Sequence, residues 1–187
     1  MSDRTELERQ LAELPLYQYE FLKTDELTFT ERVRDICRSE CPMYNRSWAC
    51  PPAVGTVEAC RARCMRFDSV LAAATICEVS DIANIDETLA TRAPHEALTH
   101  EIAAMVRQWC GGGTMVLSTE ACAICDSCAY PTGPCRHPER MHPCIESHGI
   151  LLTQTAQECG VPFQYGDNVV TWFSMIFYRP QKVVPEM

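Results

Sequence analysis

Apolar residues recur at helical spacing through the first forty positions, first as Leu7, Leu11 and Leu14, then as Phe29, Val33 and Ile36. That period puts each set on one helix face, so residues 1–40 are predicted to be helical. Thr28 followed by Glu31 has the form of a capping box for the second of these helices. Cys37 falls at its end, and Pro42 cannot continue it.

The next stretch, CPMYNRSWACPPAVG, is broken by Pro42, Pro51, Pro52 and Gly55 and reads as a loop over about 37–55. A short helix is expected from about Thr56 to Arg66, and SVLAAATICEV then has the density of a buried strand. Leu98, Ile102, Met105, Val106 and Trp109 define the clearest helix face in the chain, opened by Pro94 and closed by Gly111–Gly113. TMVLSTE is a short strand that runs into a second loop, about 121–144. IESHGILLTQTAQECG is predicted to be a helix stopped by Gly160 and Pro162. NVVTWFSMIFY, rich in β-branched and aromatic residues, supplies the last strand.

Strands separated by helices imply a small sheet with helices packed on it, an α/β fold in which α+β pairing is also possible. The strand order and directions are open at this level. No repeat or low-complexity linker divides the chain, so one domain over 1–187 is expected, with cysteine-rich loops at one end of the sheet.

Composition narrows the chemistry. Hydrophobic residues make up 47% of the 187 positions, enough for a core that needs no covalent staples, yet the chain carries 13 cysteines. The first residues lack the basic-then-apolar layout of a secretory signal. No apolar run reaches the eighteen or so residues of a membrane span. A reducing cytoplasm is therefore expected, where clustered cysteines point to metal or redox chemistry rather than to disulfides. The net charge of −9 argues against a nucleic-acid partner, because phosphate binding needs a positive face.

The cysteines fall into two constellations. Cys37, Cys41 and Cys50 are spaced C-x3-C-x8-C and run into Pro51-Pro52. Cys122, Cys125, Cys128 and Cys135 are spaced C-x2-C-x2-C-x6-C. Successive x2 spacings wrap three thiols around one face of a cube, the logic of the ferredoxin run. Zinc ribbons instead use two separated C-x2-C pairs. Iron–sulfur is thus favoured, with zinc as the alternative. Three thiols of the first constellation would leave one iron of a cube for an eighth ligand: Cys60, Cys64, Cys144 or a substrate. Cys60 and Cys64 lie one helical turn apart and serve equally well as buried packing thiols. Cys77, Cys110 and Cys159 read as packing residues. Tyr44 and Trp48 either screen the first thiols from water or are core aromatics.

The histidines, His95, His100, His137, His142 and His148, form no H-x3-H or H-E-x2-H pattern, so a histidine-based zinc enzyme is not expected. Arg136, His137 and Arg140 follow Cys135 and could donate hydrogen bonds or positive charge to an anionic cluster, or form a solvated basic turn. The chain has no G-x-S-x-G, phosphate-binding glycine loop or dinucleotide fingerprint.

Two stretches, CRSECPMYNRSWACPP and CAICDSCAYPTGPCRHPERMHPCIESHGI, resemble the cysteine-rich predicted metal-binding family catalogued as domain of unknown function 2284. The likeness covers roughly residues 30–178 and includes Trp172 in the closing strand. The resemblance implies that Cys37, Cys41, Cys50, Cys122, Cys125, Cys128 and Cys135 are the metal ligands, that iron–sulfur is the metal, and that the relatives live mainly in anaerobic bacteria and archaea. Family members usually carry serine where this chain has Cys144, which implies that Cys144 is the weaker of the candidates for an eighth ligand.

The expectation is a cytoplasmic protein with one or two [4Fe-4S] clusters. It would exchange electrons with a redox partner protein, or bind a small-molecule substrate at an open cluster iron. A zinc-stabilised, non-catalytic interaction module is the alternative, and a metal-free thiol switch a third possibility.

Overall fold

In the computed structural model, which describes residues 4–161 and 166–180, four strands form one sheet. They are β1 (Gln18–Lys23), β2 (Ser69–Glu78), β3 (Met115–Leu117) and β4 (Val169–Tyr178), in the order β1-β2-β4-β3. The helices are α1 (Arg4–Leu11), α2 (Glu31–Ser39), α3 (Val57–Cys64), α4 (Ile85–Ala90), α5 (Arg92–Cys110) and α6 (Leu152–Glu158). The mixed architecture expected from the alternation of strands and helices is present. Every neighbouring strand pair is antiparallel, which makes it the α+β form.

The centre of the sheet is the long pair β2–β4, in register from Ser69↔Tyr178 to Glu78↔Val169. Alternating side chains point to opposite faces and build two cores. Val70, Ala72 and Ala74 join Phe173, Met175 and Phe177 on one face, where Ile145, Ile150 and Ala156 of α6 cover them. Leu71 and Ala73 join Ile176 on the other, under Leu7 and Leu11 of α1 and Ile102 and Val106 of α5. Helices on both faces explain why β2 reads as a continuous apolar run instead of an alternation.

Three expectations need correction. The first forty residues are not all helical, because Gln18–Lys23 is the edge strand β1, paired with Ala74–Ser69 of β2. Pro15 separates it from α1, and Tyr19 and Phe21 suit a pleated surface better than a helix. The cap of α2 is Thr30, whose hydroxyl accepts from the Arg32 N–H at 3.3 Å, and not the Thr28–Glu31 box. Thr28 is already committed elsewhere, since its carbonyl accepts from the Leu151 N–H at 2.9 Å.

That same contact breaks the helix expected over 145–160. Residues 28–30 lie against 149–151, with a bridge Phe29↔Ile150 and the Thr30 N–H donating to the Gly149 carbonyl at 2.7 Å. A continuous helix would bury those groups within itself. The segment is instead a 3-10 turn at Glu146–His148, a left-handed Gly149 (φ 75°) and then α6. Gly160 follows α6 as expected; Pro162 lies outside the described residues.

β3 positions the second cysteine loop. Its last residue hands over to Ser118, whose N–H donates to the Pro143 carbonyl and whose carbonyl accepts from the Ile145 N–H, both at 3.0 Å. The chain between Ser118 and Pro143 is therefore a closed excursion from the edge of the sheet. The first cysteine loop leaves the C-terminus of α2 and returns at α3. Among the described residues, no helix is long and apolar enough to cross a membrane.

Candidate metal centre

The buried guanidinium of Arg34 sets the position of α2. Its Nε donates to the Ser147 carbonyl at 2.7 Å and its Nη2 to the Gly55 carbonyl, which locks α2 against the 3-10 turn. Cys37, one turn further on, is buried beside that turn. Burial pushes its thiol up to about 11, with the neighbouring Cys41 and Glu146 acting in the same direction. Cys41 is exposed and Cys50 buried. Between them Asn45 takes a left-handed φ of 59° and donates its N–H to the Pro51 carbonyl at 2.7 Å, folding the loop back on itself.

Cys50 has an unexpected neighbour. The thiol of Cys144 hydrogen-bonds to it, which holds Cys50 below the ordinary thiol range despite burial. The same bond and the burial of Cys144 push that thiol well up. The Ser147 N–H also donates to the Cys144 sulfur at 3.3 Å. Cys144, one of the candidates for an eighth ligand, is thus packed beside the first constellation.

The second constellation is a separate pocket. Cys122, Cys125, Cys128 and Cys135 are all half-buried and all line one cavity of about 100 Å³. Ser47 and Trp48 from the first loop complete its wall, whereas Cys37, Cys41 and Cys50 do not line it. Burial pushes the Cys122 thiol up. Cys128 moves the other way: burial acts upward but is outweighed by main-chain donors at Tyr130 and Trp48 and by the Ser47 hydroxyl. A sulfur held by such donors is stabilised as thiolate, the form that binds metal.

The two loops form one unit. The Trp48 indole N–H donates to the Gly133 carbonyl at 2.9 Å, and the indole packs edge-on against Tyr130 with ring centres 4.9 Å apart. The Tyr130 hydroxyl in turn donates to Asn45 at 2.9 Å. Trp48 is therefore a clamp between the loops. Arg136 and His137 line the thiol cavity, as the reading of a donor turn requires, and Arg136 also donates to the Ser127 carbonyl at 2.8 Å. Arg140 faces a neighbouring cleft instead.

The remaining thiols stay apart from both sets. Cys64 is fully buried against β2 and pushed up to about 12 by burial. Cys60 lies beneath Arg34 and Arg63, which donate to its sulfur at 3.5 and 3.0 Å. Cys110 and Cys159 belong to the two cores, and Cys77 packs near Trp172.

A family model described as "Predicted metal-binding protein (DUF2284)" matches residues 20–178. The chain belongs to this family. The matched span takes in both thiol loops and reaches from within β1 to the end of β4. No curated protein and no solved structure matches the chain. As a DUF2284 protein with two thiol constellations in one clamped unit, it is a predicted metal-binding protein.

One set of ligand-type residues goes unseen in the histidine spacing. Glu96, His100 and His142 bring one donor atom each within 4.8 Å of one another. Glu96 and His100 stand one turn apart on α5, and His142 arrives from the end of the second loop. The signal that reveals the first two is E-x3-H on a helix; the third is a long-range contact that no local pattern carries.

Proposed function

We propose that this protein carries a four-iron, four-sulfide cluster on Cys122, Cys125, Cys128 and Cys135 and works in single-electron transfer with a partner protein in a reducing cytoplasm. The observation that carries this reading is that those four thiols line one cavity of about 100 Å³. A single water needs about 10–15 Å³ on the same measure, so the space suits a multi-atom group better than a bare ion. The donor set fits as well: four sulfurs, with Cys128 held low by main-chain N–H groups and the Ser47 hydroxyl. Such donors to sulfur are a principal means of tuning a cluster.

When bound, a cluster of this kind supplies one-electron exchange at a potential set by charge, hydrogen bonds and exposure. The chain's own residues do the rest. Trp48, braced by Tyr130, closes one wall, Arg136 and His137 place positive or donor groups beside an anionic site, and the half-buried thiols keep it near the surface where a partner can dock.

Cys37, Cys41 and Cys50 would hold a second metal group. The open-iron enzyme version of that group is the weaker one, because Cys144 already stands beside Cys50 as a further sulfur donor. Anaerobic metal and acid-labile sulfide analysis, with electron paramagnetic resonance of the reduced protein, tests the proposal. About four iron and four sulfide per chain for each cluster is the expected result. A colourless preparation with stoichiometric zinc and no sulfide would sink it in favour of a zinc-stapled interaction module.

A further inference from the structure

We infer that Glu96, His100 and His142 form a separate site for one divalent transition-metal ion, built without any thiol. The three donor atoms lie within 4.8 Å of one another, the Glu96 Oε2 to His142 Nδ1 distance being 3.9 Å. An ion with 2.0–2.1 Å bonds sets its donors roughly 3.3 Å apart, so side-chain movements of about 1 Å complete the set. Two imidazoles and one carboxylate are the ligand set of facial-triad iron(II) sites and of open zinc sites.

Three observations point to a ligand here. First, the His142 Nδ1 is buried and its facing group, the Glu96 Oε2, stands 3.9 Å away, beyond hydrogen-bond reach, so an ion between them would satisfy both. Second, the carboxylate is already oriented. The Ser118 hydroxyl donates to Oε1 at 2.7 Å and Arg92 approaches the same oxygen at 3.6 Å, which leaves Oε2 facing His142. That is how outer groups fix a metal-binding carboxylate. Third, the set opens onto a cleft of about 620 Å³ that Arg140 and Cys122 also line, so open coordination positions would face a space large enough for a small molecule.

The backbone holds the parts rigidly enough to matter. Glu96 and His100 share a face of α5 at i and i+4. His142 immediately precedes the Pro143–Ile145 segment that Ser118 binds through both its main-chain groups, so the residue that orients Glu96 also places His142. Cys122 lines both this cleft and the thiol cavity, and the two sites therefore share a wall. None of the triad's three donors is a thiol.

The test uses full-length protein isolated anaerobically and Co2+ alone as the probe, with iron and sulfide measured in parallel. Wild type should bind one Co2+ more than His142→Ala and one more than His100→Ala, a variant at an exposed helix position that leaves folding intact. The wild-type-minus-variant spectrum should show ligand-field bands without sulfur-to-cobalt charge transfer, and iron and sulfide should be the same in all three proteins. Ser118→Ala should weaken the extra Co2+ by about 10–100-fold. Equal Co2+ stoichiometry in wild type and both histidine variants, or a difference spectrum carrying sulfur charge transfer, would overturn the site. Neither result bears on the iron–sulfur proposal, which sulfide content decides.

Discussion

The indole N–H of Trp48 donates to the carbonyl of Gly133 at 2.9 Å, across 85 residues of chain. This bond and the edge-on contact with Tyr130 are what turn two cysteine loops into one body. Trp48→Phe keeps much of the packing and removes the bond. It should cost about 1 kcal/mol in denaturant unfolding of the isolated protein and should speed loss of bound metal to a chelator several-fold. Chelator kinetics equal to wild type would show that the clamp does not support the metal centre.

The division of thiols makes a graded prediction. Cys125→Ser and Cys135→Ser each take a donor from the four-thiol cavity and should lower iron and sulfide content sharply. Cys144→Ser keeps a hydroxyl that can still donate to the Cys50 sulfur, so metal content should stay near wild type. Cys144→Ala lacks that donor, and its metal should be retained less well than in Cys144→Ser. Equal iron loss in Cys125→Ser, Cys135→Ser and Cys144→Ser would show that Cys144 is itself a ligand.

Gly149 is the hinge that ends the 3-10 turn. Its φ of 75° is strained for any L side chain, and a Cβ there would lie 2.8 Å from both Val57 methyls and 3.1 Å from the Thr30 carbonyl. Gly149→Ala should therefore destabilise the protein by about 2–3 kcal/mol, seen as a lower denaturation midpoint with little change in slope. A shift under about 0.5 kcal/mol would mean that the turn relaxes freely.

Two buried imidazoles set an acid limit on the fold. Burial lowers His95 to about 4, and it lowers His148 to about 3 with Arg63 and Arg34 nearby acting in the same direction. In the unfolded chain both titrate near 6.5. Between those values the unfolded state binds protons that the folded state refuses, so stability is greatest above about pH 6.5 and falls as the pH drops. From pH 6.5 to 5, before most carboxylates protonate, each histidine should contribute a slope on the order of 1 kcal/mol per pH unit. His95→Gln should reduce the measured slope by on the order of 1 kcal/mol per pH unit.

Much of the architecture was legible because it is local. Period-3.6 apolar faces announced α2 and α5, and β-dense runs announced β2 and β4. Gln18–Lys23 was missed because an edge strand of six residues exists only through pairing with β2, and the helical leucines before it masked the change. The break at Gly149 was missed for the same kind of reason. Its cause is the segment 28–30, some 120 residues earlier.

The site divides along the same line. Thiol spacing is a local property, since a C-x2-C turn places its sulfurs whatever the rest of the chain does; it singled out Cys122, Cys125 and Cys128, and the family resemblance extended the candidate set to seven. Which thiols share a cavity, which one hydrogen-bonds to Cys50, and that Glu96, His100 and His142 meet at all are contacts between distant segments. They depend on Ser118 pairing with Pro143–Ile145, on Arg34 holding α2 against the 3-10 turn and on Trp48 reaching Gly133. No residue carries those relationships in its neighbours along the chain; only the folded backbone brings them together.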